Sequence, residues 1–305
     1  MNKFLRKDNM NKMQNIKYLF FALRPKQWLK NFFIFLPMLF GGRLFDSQIT
    51  MEIIFAFILF SMASSSVYLF NDIIDLKNDK LHPLKKLRPL PSGKISVFQA
   101  SFVASVLAIF LITFSFILDI NFGYLIIIYL SFNIIYSMIL KHFVVIDVFS
   151  IGFFFLLRIL AGCIIAEVIL SHWIVFCTVL LALFIGFNKR RHELKLLKKR
   201  AYGHRSVLDS YSPYFIDQMV SVITSSIVVV YMLYTVDGNT VRNVGSDHLI
   251  YSIPLVYYGI FRYLYLIHKR GKGGDPTNIL LNDKKLQIDL ILWVIVCITI
   301  VYFKF

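Results

Sequence analysis

Residues 50–80, TMEIIFAFILFSMASSSVYLFNDIIDLKNDK, hold the contrast from which the fold is read. An apolar run ends in a cluster of acidic and amide side chains, Asn71, Asp72, Asp75 and Asp79. A helix of about 20 apolar residues matches a bilayer core ~30 Å thick, where only elements that satisfy their own backbone hydrogen bonds persist. The chain continues as LHPLKKLRPLPSG (81–93), a proline-broken and basic tail. Carboxylates and cations therefore stand side by side at a membrane surface.

The rest of the chain repeats the apolar half of that pattern. Of its 305 residues 58% are apolar and 16% charged, whereas about a quarter of a soluble domain is charged. The apolar blocks lie near 28–45, 50–71, 96–118, 121–140, 143–166, 170–188, 214–236, 248–268 and 286–303. They predict an all-α integral membrane protein of about nine transmembrane helices. No polar segment is long enough to fold apart, so a single membrane domain is expected over 23–305, behind a basic segment 1–22. The run 18–23 is short and ends at Arg24-Pro25 without a small-residue cleavage site, so no signal peptide is expected. Cys163, Cys177 and Cys297 lie inside apolar blocks without ligand or redox spacing and read as filler.

Basic residues set the orientation. Of 33 Lys and Arg, 29 fall in the segments 1–30, 71–96, 141, 188–210 and 262–285. The opposite loops hold Arg43, Arg242 and Lys304, and Arg158 lies within a span. By the positive-inside rule the N-terminus and long loops face the cytoplasm and the C-terminus faces out, as in a plasma (inner) membrane protein. The net charge of +16 is then assigned to sorting and anionic lipid, not to nucleic acid.

On a helix, Asn71, Asp72, Asp75 and Asp79 fall within one arc of about 100°. A stripe of oxygen ligands suits Mg²⁺, which takes one or two carboxylates and completes its shell with water and substrate phosphate. The other reading is a solvated acidic helix end, or salt bridges to Lys77, Lys80 and Lys85. In the tail, Pro83, Pro89 and Pro91 predict an extended chain. It presents Arg88 as a bidentate phosphate fork and Lys85 as a mobile charge.

NDIIDLKNDK (71–80) resembles the first Asp-rich motif, N-D-x-x-D-x-x-x-D, of the UbiA superfamily of intramembrane prenyltransferases. HPLKKLRP (82–89) and LRPKQWLKN (23–31), which includes Lys30, resemble the branch of decaprenyl-phosphate phosphoribosyltransferases. The resemblance runs from about Leu23 to the last span and includes YSMILKHFVVIDV, NKRRHEL and DPTNILLNDKKLQ. It implies helices around a central cavity open to the cytoplasm and to lipid. It also implies Mg²⁺, the substrates phosphoribosyl pyrophosphate and a polyprenyl phosphate, a product for cell-envelope sugar donors, and a homo-oligomer.

The remaining polar groups are read beside that resemblance. In YSMILKHFVVIDV (136–148), Tyr136 and Lys141 resemble the family's second motif. Without it they read as an interfacial aromatic and a snorkelling lysine. Asp147 and Arg158 are about 20° apart in azimuth and ~16 Å apart along one helix. Arg158, deep in a span, must face a partner or a cavity, and both a buried acid and a substrate phosphate fit. Asn188, Lys189, Arg190, Arg191 and Glu193 open a basic segment where aromatic prenyltransferases of this family carry a second D-x-x-D. Here the nearby acids are Glu193 and Asp209 alone. Asp275 and Asp283, in a glycine-rich loop, are weaker candidates.

Asp72, Asp75 and Asp79, with Asn71, are thus expected to hold Mg²⁺ on a pyrophosphate. Asp72, Asp75, Tyr136 and Lys141 are the expected catalytic groups. Lys30, Lys85, Arg88, Asp147, Arg158, Lys189, Arg190, Arg191 and Glu193 are expected to bind substrate. Two alternatives stand: an aromatic prenyltransferase using a prenyl pyrophosphate, against which the missing second Asp motif counts, and a transporter or lipid-binding protein without catalysis.

Overall fold

The computed structural model describes residues 14–197, 210–270 and 276–303, and every regular element among them is helical. Eight helices are long: α1 (Ser47–Ile74), α2 (Val97–Leu118), α3 (Ile120–Met138), α4 (Ile146–Ala166), α5 (His172–Leu197), α6 (Pro213–Val236), α7 (Ile253–Arg270) and α8 (Lys284–Phe303). Each, with the 3-10 turn His248–Ser252 ahead of α7, provides a segment long and apolar enough to cross a membrane. Phe98, Phe102, Ile109 and Ile117 of α2 stay exposed, as side chains facing lipid do.

Local chemistry sets the helix starts. Ser96 accepts the Gln99 N–H while the Gln99 side chain accepts the Ser96 N–H, a reciprocal cap on α2. Asp119 caps α3 through the Phe122 N–H at 2.8 Å, and Ser212 caps α6 with Pro213 behind it.

The first expected span differs. Residues Pro25–Ile34 wind as a 3-10 helix that runs into a six-residue α-helix, Phe35–Phe40, instead of one long helix over 28–45. Arg24, just ahead of this segment, takes a left-handed φ of 55°. Trp28 donates to Ser65 Oγ and Asn31 to Ser61 Oγ, both at 2.9 Å, so side-chain bonds favour the tighter winding. Because a 3-10 helix rises about 2.0 Å per residue and an α-helix 1.5 Å, this short segment has a contour length close to the ~30 Å bilayer core.

The chain divides into two compact units. One holds the described residues through Asn31 together with Phe55–Ile139; the other holds Phe32–Ile54 and the chain from Leu140 onward. The first packs Ala22, Leu69, Leu90, Ile95 and Ala100 into one apolar cluster. In it Tyr129 and Ser64 share a hydrogen bond at 3.2 Å, one link of a buried polar network that continues to Asn31. In the second unit α4, α5 and α6 pack around Val148, Phe184, Phe187 and Ile227. Gly162 of α4 faces the Phe35–Phe40 segment so closely that a Cβ there would lie 2.1 Å from the Ile34 carbonyl oxygen.

Candidate active site

The first unit holds the acidic cluster at the end of α1. The helix is interrupted only at Asp75, and a short helix, Leu76–Leu81, follows at once. The Asp75 N–H bonds to Asn71 O at 2.9 Å and the Asp79 N–H to Asp75 O at 2.8 Å, so the helical spacing of the four side chains carries through the break. Asp72 and Asp79 are each 2% exposed. Asn71 Oδ1 accepts the Ser137 hydroxyl from α3.

Cations close on these carboxylates. Arg88 Nη1 donates to Asp72 Oδ1 at 3.0 Å and to Asp79 Oδ2 at 2.7 Å. Lys85 Nζ lies 3.5 Å from Asp79 Oδ1. Arg24 donates to Asp72, and its guanidinium sits 4.8 Å from the centre of the Tyr68 ring. Burial lowers the Arg88 guanidinium below its ordinary value and neighbouring Arg24 adds to that, while Asp72 and Asp79 oppose both. Two carboxylates and three cations thus pair on a half-buried surface, with one positive charge in excess.

The tail does not run extended, as its prolines predicted. His82 Nδ1 accepts the N–H groups of Leu84 and Lys85 at 3.1 and 3.2 Å, and Lys85–Leu87 form a 3-10 turn. This capping folds the tail back, which brings Lys85 and Arg88 onto the acids instead of leaving them as separate phosphate ligands.

The donor set fits a hard divalent cation of one kind. Asp72 and Asp79 converge on a single guanidinium nitrogen, so one small cation can be shared by both. Among the described residues no three His, Cys, Asp or Glu side chains gather into a metal cage. Two carboxylates with the rest of the shell left to water or phosphate is the Mg²⁺ pattern; an all-protein cage is not.

The second unit carries a separate charged group. Asp147 is fully buried in the first turn of α4 and accepts from Arg190 Nε of α5 at 2.6 Å. Arg190, 1% exposed, also pairs with Glu193. Tyr211 donates to Asp147 Oδ1 at 2.7 Å; burial first, and then this bond, push its phenol well above the usual range, so it stays a neutral donor. Arg191 forks onto Asp217 of α6. Arg158 is buried beside the Phe155 ring and donates to the Phe154 carbonyl at 2.5 Å. Asp147, about 16 Å along the helix from Arg158 by its rise, takes Arg190 as its partner.

Lys141 lies half-buried in the 3-10 turn Leu140–His142, and Tyr136 half-buried near the end of α3. Lys30 and Lys189 are half-buried in the Pro25–Ile34 helix and in α5. Asp283 pairs with Arg262 at 2.8 Å; Asp209 and Asp275 lie outside the described residues. Arg24, Tyr211 and Asp217 are among the charged or polar partners that the sequence reading did not single out. Arg24 stood inside the quoted LRPKQWLKN, and its signal was an arginine beside a proline in a segment matched to a phosphate-handling branch.

Known proteins resemble this arrangement over nearly its whole length. The family model described as the UbiA prenyltransferase family matches residues 32–281. Decaprenyl-phosphate phosphoribosyltransferase of Mycobacterium tuberculosis is 30% identical over 90% of this chain and 90% of its own. The protein of the same name from Corynebacterium glutamicum is 30% identical over 92% of this chain and 86% of its own. Among solved structures, a UbiA homologue from Archaeoglobus fulgidus bound to GPP and Mg²⁺ superposes with a TM-score of 0.68. It is 17% identical and covers 93% of this chain and 99% of its own.

Proposed function

This chain belongs to the UbiA prenyltransferase family, and from that membership we propose that it transfers a 5-phosphoribosyl group from phosphoribosyl pyrophosphate to a polyprenyl phosphate. It is a multi-pass membrane transferase, and the finer reading concerns its donor and acceptor. The observation that carries it is the pairing of buried Asp72 and Asp79 with Arg88, Arg24 and Lys85. A cluster that balances carboxylates against cations is suited to a metal–pyrophosphate, which brings both a divalent cation and a polyanion. The relatives' names supply the phosphoribosyl donor.

In this reading Asp72 and Asp79 would hold Mg²⁺, with Asp75 and Asn71 adding oxygen atoms to the surround that its water or phosphate ligands meet. A bound Mg²⁺ would offset the charge that builds on the departing pyrophosphate. Asp72 and Asp79 would exchange guanidinium for metal, which frees Arg88, Arg24 and Lys85 for phosphate oxygens. An oxygen of the polyprenyl phosphate attacks the anomeric carbon, the bond from that carbon to pyrophosphate oxygen breaks, and pyrophosphate leaves with the electron pair. No strong base is required, because the second pKa of a phosphate monoester is about 6. Lys30, Lys141, Lys189 and Arg158 are assigned by charge to the remaining phosphates, and Tyr136 to orienting one of them. Arg190 and Arg191, tied to Asp147, Glu193 and Asp217, would support those groups.

The stretch that carries a second Asp motif in aromatic prenyltransferases holds Glu193, and Glu193 is paired with Arg190. That favours a phosphate acceptor over an aromatic one. The proposal also takes the cytoplasmic side for the basic loops and N-terminus, and the outside for the C-terminus.

The test is pyrophosphate release by purified protein with Mg²⁺, phosphoribosyl pyrophosphate and polyprenyl phosphate, omitting each in turn. A parallel reaction holds a prenyl pyrophosphate and 4-hydroxybenzoate. Release that needs all three components supports the proposal; release in the parallel reaction alone refutes it.

A further inference from the structure

We propose that Tyr211 is a positioning residue that fixes Lys141 by locking a strained turn at Val145; this rests on the assignment of Lys141 to a phosphate. Val145 has φ 69° and ψ −47°, and the Ile146 N–H reaches back to the Val144 carbonyl at 2.8 Å. That is a three-residue turn of the left-handed kind, rare and strained, and occupied here by a β-branched residue. Such backbone persists only where its surroundings hold it, and it gathers at functional sites. Four residues ahead of it lies Lys141.

The holding group is the Tyr211 hydroxyl. It accepts the Val145 N–H at 2.7 Å and donates to Asp147 Oδ1 at 2.7 Å. The other Asp147 oxygen accepts from Arg190 Nε at 2.6 Å. Tyr211 is 4% exposed, Asp147 fully buried and Arg190 1% exposed. The anchor is therefore charge-assisted, dry and seated on α4 and α5, and Tyr211 carries it to the backbone of the turn. The Tyr211 ring also packs near Phe187 and Phe215, contacts a phenylalanine would keep. Tyr211→Phe thus removes the clamp and leaves the packing.

Three measurements on full-length protein in detergent test this. They are amide exchange in residues 143–147, acetylation of Lys141 by an N-hydroxysuccinimide ester with exposed Lys77 as internal reference, and turnover. In Tyr211→Phe we expect exchange there to rise by about tenfold or more with α6 amides unchanged, the scale of a lost local constraint. The Lys141-to-Lys77 labelling ratio should change severalfold. Val145→Gly added to Tyr211→Phe should recover part of the lost turnover, since glycine adopts positive φ without strain. If Tyr211→Phe does not fold, rescue of folding by the added Val145→Gly takes the place of its labelling comparison, and absence of rescue overturns the proposal. An unchanged labelling ratio overturns the proposal whatever turnover does. If the wild type transfers no phosphoribosyl group, the function assigned above fails, while labelling and exchange still decide this inference.

Discussion

Arg88 Nη1 lies 2.7 Å from Asp79 Oδ2, although the sequence between them contains a proline, Pro83, and a basic pair. The same nitrogen reaches Asp72, so one guanidinium bridges two buried carboxylates. Arg88→Lys keeps the charge but loses the planar fork that could take a phosphate in two bonds. The expected result is a loss of turnover of about tenfold, equal to ~1.4 kcal/mol of transition-state stabilisation. Steady-state pyrophosphate release checks it.

Asp75 and Asp72 separate chemistry from folding. Asp75 is half-exposed and Asp72 is buried under two arginines. Asp75→Asn should leave the protein folded and abolish Mg²⁺-dependent release. Asp72→Asn should abolish it too and lower the thermal midpoint, because two guanidinium groups lose a shared carboxylate. Thermal unfolding in detergent beside the release assay distinguishes the pair. Chelation by EDTA should silence the wild type, and added Mg²⁺ should restore it.

The Asp147–Arg190 pair is dry, and breaking it leaves one charge buried alone. Asp147→Asn should destabilise by about 3–5 kcal/mol. The double change Asp147→Leu with Arg190→Met should cost less than either single change, since the dry pair leaves together and only the less buried Glu193 loses a partner. Unfolding midpoints of the three variants measure the coupling.

Two glycines on α4 should respond oppositely. Gly162→Ala drives a methyl against the Ile34 carbonyl and should cost about 1–3 kcal/mol. Gly152→Ala meets Val179 at an ordinary 3.7 Å. It should be neutral or stabilising, by up to about 1 kcal/mol from helix propensity. The same thermal assay reads both.

What the sequence reveals and what it hides follow from the range of each interaction. The eight long helices are legible because an apolar block of bilayer length has one stable backbone solution. The acidic cluster is legible because helical spacing alone gathers Asn71, Asp72, Asp75 and Asp79. Arg24, by contrast, reaches Asp72 across 48 residues, and Tyr211 reaches Asp147 across 64. No local periodicity encodes such pairings. The tail misled for a related reason: three prolines favour extension, and the His82 cap that overrides them is a side-chain bond to its own loop. At residues 25–34, the bonds of Trp28 and Asn31 to serines of α1 accompany a 3-10 winding that hydrophobicity cannot distinguish from an α-helix.

The proposed reaction moves the sugar phosphate to the lipid. The most direct measurement gives the protein phosphoribosyl pyrophosphate labelled in the ribose, with Mg²⁺ and polyprenyl phosphate, and follows the label into the organic phase. Lipid-bound label that depends on both Mg²⁺ and polyprenyl phosphate and disappears in Asp75→Asn is the expected result. Label that stays in the aqueous phase, while a labelled prenyl pyrophosphate alkylates 4-hydroxybenzoate, would contradict it.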